Sequence, residues 1–309
     1  MRTYIAGING MVGSAIAIEA KAQGHDVIGK SSKDLDLTDR SAVFRELQNI
    51  KPDRLIIAAA KVGGIGANSN FPVDFLSLNL QIQTNLLDAA HAWNIDKVLF
   101  LGSSCVYPRL ALQPLTESAL LTGELEPTNE PYAIAKIAGI KLVEAYRRQF
   151  GHRWISAMPT NLYGPRDNFS PVSAHVLPML MRRFHRAKVE QLQSVEIWGD
   201  GSPLREFLHV RDFALACLIL LDKFDSPVPI NVGSGDEISI RDLATLIAKI
   251  VGYSGTTTYN IELPNGTPRK LLNSNLIKEL GWKSTIELEE GIASTYDWFL
   301  RNQLEERHS

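Results

Sequence analysis

The sequence predicts an α/β protein in which a doubly wound parallel sheet is followed by a smaller C-terminal α/β lobe. In the first half of the chain, short apolar runs alternate with helical patterns, which is typical of βαβ units with right-handed crossovers. A glycine-rich loop, residues 7–13, separates the first apolar run from the first helical pattern. Beyond residue 165 the composition becomes more polar, which indicates the second lobe.

The elements follow from the apolar pattern, taken in chain order. Runs that are continuously apolar predict buried strands, and apolar residues recurring every three to four positions predict helices. Gly24 suits the position after a helix end, and Thr38 or Asp39 suits an N-cap. We predict strands over 2–6, 25–28, 54–60, 97–101, 154–158, 195–198 and 230–233, and helices over 14–23, 40–49, 72–93, 131–150, 175–187, 212–221, 240–251 and 288–302. Residues 61–68 and 159–165 are predicted loops at the carboxyl edge of the sheet.

The composition shift divides the chain into two regions. We assign residues 1–165 to a nucleotide-binding domain and residues 166–309 mainly to a substrate-binding lobe. Segments near 207–233 are expected to return to the first domain.

Composition and charge exclude several classes of protein. The chain has 309 residues, 45% of them hydrophobic, and a formal net charge of −2, so no basic field indicates nucleic acid or an anionic membrane. We expect no signal peptide and no membrane span, because no apolar run approaches the ~20 residues that a bilayer requires. Cys105 and Cys217 do not make a disulfide framework, and the histidines are scattered. We therefore expect a cytoplasmic protein without a metal site.

The loop Gly7-Ile8-Asn9-Gly10-Met11-Val12-Gly13 lies between a predicted strand and a predicted helix. Glycines allow the backbone to turn tightly and approach a pyrophosphate, which then binds at the helix N-terminus. This order of elements is the context in which a glycine fingerprint indicates a dinucleotide-binding Rossmann domain. The alternative is a glycine-rich turn without a ligand.

The second predicted strand ends in residues that favour NADP over NAD. An acidic residue that binds the ribose is expected at this position in NAD proteins, but none occurs before Asp34. Lys30 and Lys33 can instead pair with a 2′-phosphate, although either lysine can also belong to a solvated turn. Asp36 can reach the adenine side of a dinucleotide or serve as a turn residue.

Tyr132 and Lys136 form a Tyr-x-x-x-Lys pair in a predicted helix. Residues i and i+4 share one helix face, so we expect the ammonium to lie beside the phenol and to lower its pKa from ~10. Tyr132 would then exchange protons near neutral pH. Ser103 follows a buried strand upstream, and its hydroxyl can share a substrate oxygen with the phenol.

These features together resemble the extended short-chain dehydrogenase/reductase superfamily, and longer stretches resemble its GDP-L-fucose synthase family. The stretches are 60–65 (AKVGGI), 101–108 (LGSSCVYP), 125–139 (LEPTNEPYAIAKIAG), 158–165 (MPTNLYGP) and 205–210 (REFLHV). The resemblance covers essentially the whole chain. It implies that GDP-4-keto-6-deoxy-D-mannose is epimerised at C3 and C5 and then reduced at C4 with NADPH to give GDP-L-fucose. It also implies a homodimer joined through the helices over 72–93 and 131–150.

The resemblance also implies a role for individual residues. Cys105 is the base, His175 the acid, Tyr132 the proton donor to O4, Lys136 the group that adjusts Tyr132, and Ser103 the partner of the carbonyl. The implied NADP-binding residues are Gly7, Ile8, Asn9, Gly10, Met11, Val12, Gly13, Lys33, Asp36, Leu37, Ala59, Ala60, Leu101, Gly102, Ser103, Ser104, Lys136, Pro159, Thr160, Asn161, Leu162 and His175.

The nucleotide of the substrate is assigned to the second lobe. The implied contacts are Arg183 and Arg205 to the diphosphate, Trp198 to the guanosine, and Asn265 and Lys270 nearby. Each arginine can alternatively form a surface salt bridge, and Trp198 can alternatively pack in the core. The chain departs from the family pattern at three positions. Asn9 replaces the arginine that is familiar there, Ser32 lies where a basic residue is expected, and Asn265 lies where an acidic residue is expected.

Four other functions are compatible with parts of the pattern. A sugar-nucleotide dehydratase would need an acid and a base, typically Asp-Glu, where Ser104-Cys105-Val106 stands. A 4-epimerase would retain NAD and show no net redox change. A non-catalytic dinucleotide-binding regulator would usually lack Tyr132 or Lys136. A reductase of the GDP-colitose type would epimerise C5 only.

Overall fold

The computed structural model describes residues 1–263 and 265–306. The strands are β1 (Arg2–Ala6), β2 (Asp26–Ile28), β3 (Arg54–Ile57), β4 (Lys97–Leu101), β5 (Ile155–Pro159), β6 (Asn161–Tyr163), β7 (Ser194–Trp198), β8 (Leu204–His209), β9 (Ile230–Val232), β10 (Glu237–Ser239), β11 (Thr256–Asn260) and β12 (Arg269–Lys270). The α-helices are α1 (Met11–Ala22), α2 (Arg40–Ile50), α3 (Ile65–Asn70), α4 (Asn79–Ala92), α5 (Glu130–Phe150), α6 (Val176–Val189), α7 (Val210–Lys223), α8 (Ile240–Val251), α9 (Asn275–Glu279) and α10 (Leu288–Glu306).

A six-stranded sheet in the order β2-β1-β3-β4-β5-β9 forms the centre of the protein. All of its strand pairs are parallel, which confirms the predicted doubly wound sheet. The order reverses between β1 and β3, where ligands bind at the carboxyl edge of such sheets. One face packs on α2, α4 and α5 and the other on α1 and α7, so the continuously apolar strand pattern results from burial on both faces.

The remaining strands form a second, smaller assembly. Strand β8 pairs with β10, β12 and β6, and β7 pairs with β11. Helices α6, α8 and α10 enclose a separate apolar core against these strands. This assembly is the C-terminal α/β lobe that the sequence predicts.

The chain crosses between the two assemblies more than once. Helix α7 packs on α1, and β9 pairs with β5 at the edge of the six-stranded sheet. The returning segment therefore begins at Val210, because β8 before it belongs to the second sheet.

Several predicted boundaries differ from the structure. Strand β3 ends at Ile57 rather than residue 60, because its partner β1 ends at Ala6. The predicted loop over 61–68 ends in α3, and the helix predicted over 72–93 begins with a π-helical turn, Asp74–Leu78, before α4. The predicted loop over 159–165 contains β6, which pairs with β8. Strands β10, β11 and β12 were not predicted, since they are short and only partly buried.

The predicted N-cap of the second helix agrees with the structure. The side chain of Asp39 accepts a hydrogen bond from the backbone N–H of Ala42 at 3.0 Å and is the N-cap of α2. Within 1–263 and 265–306, no helix has the length and apolar character needed to cross a bilayer. The same residues contain no group of three or more His, Cys, Asp or Glu side chains placed to hold a metal ion.

Candidate active site

The glycine loop turns back on the end of β3. Gly7 has a φ of +87°, and a Cβ there would lie 2.8 Å from the backbone nitrogen of Ala59. A Cβ at Gly13 would lie 2.1 Å from the carbonyl oxygen of Gly7. Only glycine fits at either position, so the loop can present its backbone closely to a ligand.

The N-terminus of α1 leaves its first backbone N–H groups available. Gly10 is the N-cap and has no side chain to accept from them, and the first turn contains no acidic residue. The residues between the glycines, namely Ile8, Asn9, Met11 and Val12, complete this loop. A pyrophosphate fits such a helix end because the free N–H groups and the helix dipole both favour negative charge.

The two lysines proposed to bind a 2′-phosphate both follow β2, and they differ in their contacts. Lys30 Nζ forms an ion pair with Glu46 at 2.8 Å, so Lys30 already has a partner within the protein. Lys33 is exposed. Asp36 accepts from the backbone N–H of Thr38 at 2.8 Å and from its hydroxyl at 2.7 Å, which makes Asp36 a turn residue.

Helix α4 holds the neighbouring loop. Asn85 Nδ2 donates to the carbonyl oxygens of Leu37 and Thr38, each at 3.0 Å. Leu37 also packs against the core on that side of the sheet. The backbone that would face an adenosine is therefore fixed by a buried amide rather than by the loop itself.

The loop after β4 carries four of the predicted site residues, Gly102, Ser103, Ser104 and Cys105. Gly102 N–H donates to the carbonyl oxygen of Ala157 at 2.8 Å, which keeps the end of Leu101 beside β5. A 3₁₀ turn, Ser104–Val106, follows. Ser103 caps this turn by accepting from the backbone N–H of Cys105 at 3.2 Å, so Ser103 and Cys105 lie side by side at the carboxyl edge of the sheet.

Lys136 is buried, and its ammonium donates to the carbonyl oxygen of Leu101 at 2.8 Å. Nζ lies 4.9 Å from the centre of the Phe100 ring and 5.9 Å from that of Tyr132. Burial lowers the pKa of Lys136 to about 7. The ammonium is therefore directed at the backbone of β4 and not at the phenol.

The pKa of the Tyr132 phenol differs from the expectation. Burial and the neighbouring Cys105 raise the pKa of its phenol, whereas the Ser103 hydroxyl beside it works in the opposite direction. The prediction that Lys136 lowers this pKa is wrong for this structure, because desolvation of the phenolate outweighs any attraction to a cation that is itself engaged elsewhere. Tyr132 is thus a neutral phenol at physiological pH.

His175 lies immediately before α6, on the side of the cleft formed by the second lobe. Burial among neighbouring atoms and the charge of Lys270 lower the pKa of its imidazole. Part of the residue is nevertheless exposed to solvent. Both hold for a side chain on the wall of a cleft, which is crowded on several sides and open to water on one. Water on the open side weakens the influence of the Lys270 charge on the pKa of His175.

The predicted nucleotide contacts lie on the second lobe. Arg183 Nη1 donates to the carbonyl oxygen of Glu196 at 3.0 Å, and its guanidinium lies 5.9 Å from the Trp198 ring centre. Trp198 is 46% exposed, so it does not pack in the core. Arg205 is half-buried and its Nη1 donates to the carbonyl oxygen of Leu204 at 2.8 Å. Both guanidiniums thus keep donors for an anion.

Asn265 and Lys270 have other contacts in the structure. Asn265 Oδ1 accepts from the backbone N–H of Asp200 at 3.0 Å and so supports the turn after β7. Lys270 Nζ lies 3.5 Å from Cys105 Sγ. The structure therefore brings Lys270 to the loop after β4, whereas the sequence assigned it to the nucleotide end of the substrate.

The loop after β5 uses several of its polar groups within the protein. Thr160 Oγ1 and Asn161 Nδ2 donate to the carbonyl oxygen of Glu206 at 3.1 and 2.8 Å. A cofactor would meet backbone rather than these side chains. Pro159 ends β5, Leu162 packs beneath the sheet, and Ala59, Ala60 and Ser104 lie at the same edge.

Two residues that organise this site were not predicted. Asn129 Nδ2 lies 3.4 Å from Cys105 Sγ. The buried carboxylate of Glu206 accepts from the backbone N–H groups of Gly235 at 2.7 Å and Leu272 at 3.0 Å, which joins β8 to two other segments. Asn129 lies three residues before Tyr132, but an asparagine at that point also resembles an N-cap, and nothing in the sequence around Glu206 indicates burial.

The site combines a glycine loop that fits a pyrophosphate with a tyrosine, a serine and a buried lysine at the same sheet edge. This combination defines a dinucleotide-dependent enzyme of the short-chain reductase and epimerase class. Residues 3–233 match the model of the NAD dependent epimerase/dehydratase family, and the chain belongs to that family.

Similar proteins cover nearly the whole chain. "GDP-L-fucose synthase 1" of Arabidopsis thaliana is 53% identical over 302 residues, which are 97% of this chain and 94% of the relative. "GDP-L-fucose synthase" of Escherichia coli (strain K12) is 50% identical, covering 98% of this chain and 97% of the relative. The crystal structure of a GDP-L-fucose synthetase from Naegleria fowleri bound to NADP superposes with a TM-score of 0.90 at 28% identity, covering 98% of this chain and 95% of that one.

Proposed function

We propose that this protein converts GDP-4-keto-6-deoxy-D-mannose into GDP-L-fucose, by epimerising C3 and C5 and then reducing the C4 ketone with NADPH. The observation that carries the proposal is the placement of Cys105 beside Ser103 and Tyr132, with donors from Asn129 and Lys270 at its sulfur. A reductase needs only the serine and the tyrosine. A thiol held by two donors in the same loop supplies the base that epimerisation requires.

Epimerisation depends on the acidity of protons next to the ketone. Removing such a proton places negative charge on O4, and hydrogen-bond donors directed at that oxygen stabilise the enolate. Ser103 and Tyr132 are those donors, since both lie at the edge where the ketone would bind. Cys105 removes the proton from one side, and His175, on the opposite lobe, returns a proton to the other face.

Reduction uses the same oxygen. NADPH, when bound, supplies the hydride to C4. The raised pKa of Tyr132 keeps the phenol protonated and ready to donate to O4 as the alkoxide forms. Lys136 ties α5, which carries Tyr132, to the end of β4 through the Leu101 carbonyl. Lys136 therefore acts on the position of Tyr132.

The residues present fit NADP. The available N–H groups at the start of α1 suit the pyrophosphate. Lys33 and Lys30 are both exposed cations after β2, and Lys30 is paired with Glu46, so Lys33 is the better candidate for the 2′-phosphate. The absence of an acid before Asp34 removes the ribose contact typical of NAD.

Isotope labelling of the product tests the proposal. With GDP-4-keto-6-deoxy-D-mannose and NADPH in D₂O, NMR should show GDP-L-fucose with deuterium at C3 and C5. Cys105→Ser should bind NADPH normally and should fail to introduce either label. Label at C5 alone would contradict the fucose assignment in favour of a reductase of the GDP-colitose type, and Cys105→Ser labelling both carbons at the wild-type rate would reject Cys105 as the base.

We further propose a cytoplasmic homodimer. Both cysteines are free thiols, and free thiols are typical of a reducing compartment. Helices α4 and α5 pack side by side on one face of the sheet. Ile134 and Phe150 on α5 are 42% and 48% exposed, which supports an interface of four helices between two copies.

A further inference from the structure

Two donors contact the sulfur of Cys105, and they come from distant parts of the chain. Asn129 Nδ2 lies 3.4 Å and Lys270 Nζ 3.5 Å from Sγ. Asn129 precedes α5, whereas Lys270 lies on β12 of the second lobe. A thiol accepts hydrogen bonds weakly, while an ionised acceptor makes short, strong bonds with charged donors. Both donors are therefore placed to stabilise negative charge on the sulfur.

The same ammonium acts on His175. The positive charge of Lys270 contributes to the lowered pKa of this imidazole. Lys270 thus lies within electrostatic reach of both groups to which epimerisation is assigned. Within 1–263 and 265–306, no carboxylate forms an ion pair with Lys270, so its charge is not neutralised by the protein.

We propose that Lys270 is a positioning residue for epimerisation, whose ammonium contacts the sulfur of Cys105 and stabilises negative charge there when the sulfur acts as the base. One cation of the second lobe then completes the surroundings of the base. The inference rests on the proposed function, in which Cys105 is the base.

Other charged groups face Cys105 without replacing Lys270. Arg205 on β8 lies opposite Lys270 in the strand register and within electrostatic reach of Cys105, and its Nη1 donates to the Leu204 carbonyl. Glu126 lies near the guanidinium of Arg205 and pairs with Arg109 at 3.3 Å. Arg269, the neighbour of Lys270 on β12, pairs with Glu237. Among these cations, Lys270 is the one whose nitrogen contacts the sulfur.

The proposal makes a specific statement about pH. The rising limb of the epimerisation profile reports ionisation of the base and the falling limb reports loss of the proton from the acid. Removing a cation that favours thiolate and disfavours imidazolium moves both limbs to higher pH. Removing the neutral donor with Asn129→Ala weakens the contact to sulfur only, so the rising limb alone should move.

Alkylation of Cys105 by iodoacetamide measures the thiolate directly. The thiolate displaces iodide, and mass spectrometry gives the rate at each cysteine. At pH 7, Lys270→Met should slow labelling of Cys105 about tenfold, because the cation beside the reacting sulfur is lost. Lys270→Arg retains the charge and should stay within about threefold of wild type on the same scale. Lys249→Met is the matched control, because Lys249 pairs with Glu289 on the outside of α8.

Cys217 shows whether each variant is folded. It is fully buried and should remain unlabelled unless the fold is lost. Labelling of Cys105 at the wild-type rate in Lys270→Met, with Cys217 protected, would overturn the proposal. So would a Lys270→Met enzyme that shows only a raised KM, since that result assigns Lys270 to substrate binding.

Deuterium incorporation separates this inference from the proposed function. Lys270→Met should incorporate solvent deuterium with both pH limits displaced upward, while its NADPH binding is unchanged. If Cys105→Ser still incorporates deuterium, the assigned base is wrong and the role of Lys270 in epimerisation falls with it, even where alkylation slows. If Cys105→Ser is inactive and alkylation is insensitive to Lys270, the base stands and this inference alone fails.

Discussion

The ammonium of Lys136 donates to the carbonyl oxygen of Leu101 at 2.8 Å, and this bond fixes the start of α5 against the end of β4. The bond joins the helix that carries Tyr132 to the loop that carries Ser103 and Cys105. A lysine buried at this depth loses hydration, so its pKa falls to about 7. Its contact with a carbonyl oxygen accounts for its place in the site better than a contact with the phenol does.

Replacement of Tyr132 by phenylalanine should abolish reduction and leave the fold intact. The substitution removes only the hydroxyl that would protonate O4, and general acid catalysis contributes roughly 10²- to 10⁴-fold in rate. Single-turnover oxidation of NADPH measures the step, and NADPH binding by fluorescence is the control. A variant within a few-fold of wild type would show that another group protonates O4.

NADP should bind more tightly than NAD, and Lys33 should account for the difference. A charge-assisted contact contributes roughly 1.5–3 kcal/mol, and less when it is exposed, so Lys33→Met should weaken NADPH binding about tenfold. Binding of NADH should not change. Lys30→Met is the matched variant, because its ammonium is paired with Glu46, and calorimetry should show little loss of preference there. Equal affinity of the wild type for both cofactors would contradict the assignment.

Substitution of Trp198 by alanine should weaken the binding of GDP and leave NADPH binding unchanged. Its exposed ring lies 5.9 Å from the Arg183 guanidinium, which suits a base stacked on the open face of the ring. Stacking of a base on an aromatic side chain contributes roughly 1–3 kcal/mol, which corresponds to about 5- to 150-fold in affinity. Trp198→Phe should retain most of the affinity. Calorimetric titration with GDP would contradict the stacking if Trp198→Ala bound it as wild type does.

Asp167 should make the protein less stable as the pH rises. Burial raises the pKa of its carboxyl from 3.8 to about 7, and Oδ2 has no hydrogen-bond partner among the described residues. The raised value means that the folded state binds the proton more tightly, so stability is complete below pH 3.8 and is lost as the pH rises to about 7. The loss is roughly 4 kcal/mol at most.

Asp167→Asn removes this titration and tests whether the free energy of unfolding falls as the pH rises. Urea unfolding should show the variant to be more stable than wild type at pH 8, with the advantage shrinking or reversing at pH 5. Asp236→Asn, at an exposed position, is the control and should change neither value. A wild type whose free energy of unfolding rises between pH 5 and 8 relative to Asp167→Asn would contradict the argument.

A second copy of the chain should join through α4 and α5. Light scattering at micromolar concentration should then give a mass near twice the 34.2 kDa of one chain. Phe150→Asp places a charge on the exposed end of α5 and should shift the mass toward the monomer, whereas Val189→Asp at the end of α6, also exposed, should not. A monomeric wild type would reject the interface.

The sequence by itself determined the parallel sheet and the glycine loop before its first helix. Apolar runs such as β4 are buried on both faces of a sheet, so their pattern is continuous and readable. Gly7 and Gly13 are local requirements of backbone geometry, and Tyr132 and Lys136 share a helix face whatever surrounds them. Each of these signals is contained in a short stretch of chain, and each lies at its predicted place.

Only the tertiary structure decided what the charged groups do. The pKa of Tyr132 depends on burial by neighbours far away in sequence, and the ammonium of Lys136 could have met either the phenol or the backbone. Lys30 and Lys33 look alike in the sequence, but Glu46 pairs with one of them. Lys270 reaches Cys105 across 165 positions of the chain. Desolvation and Coulomb attraction depend on distance in space, and no pattern along the chain records that distance.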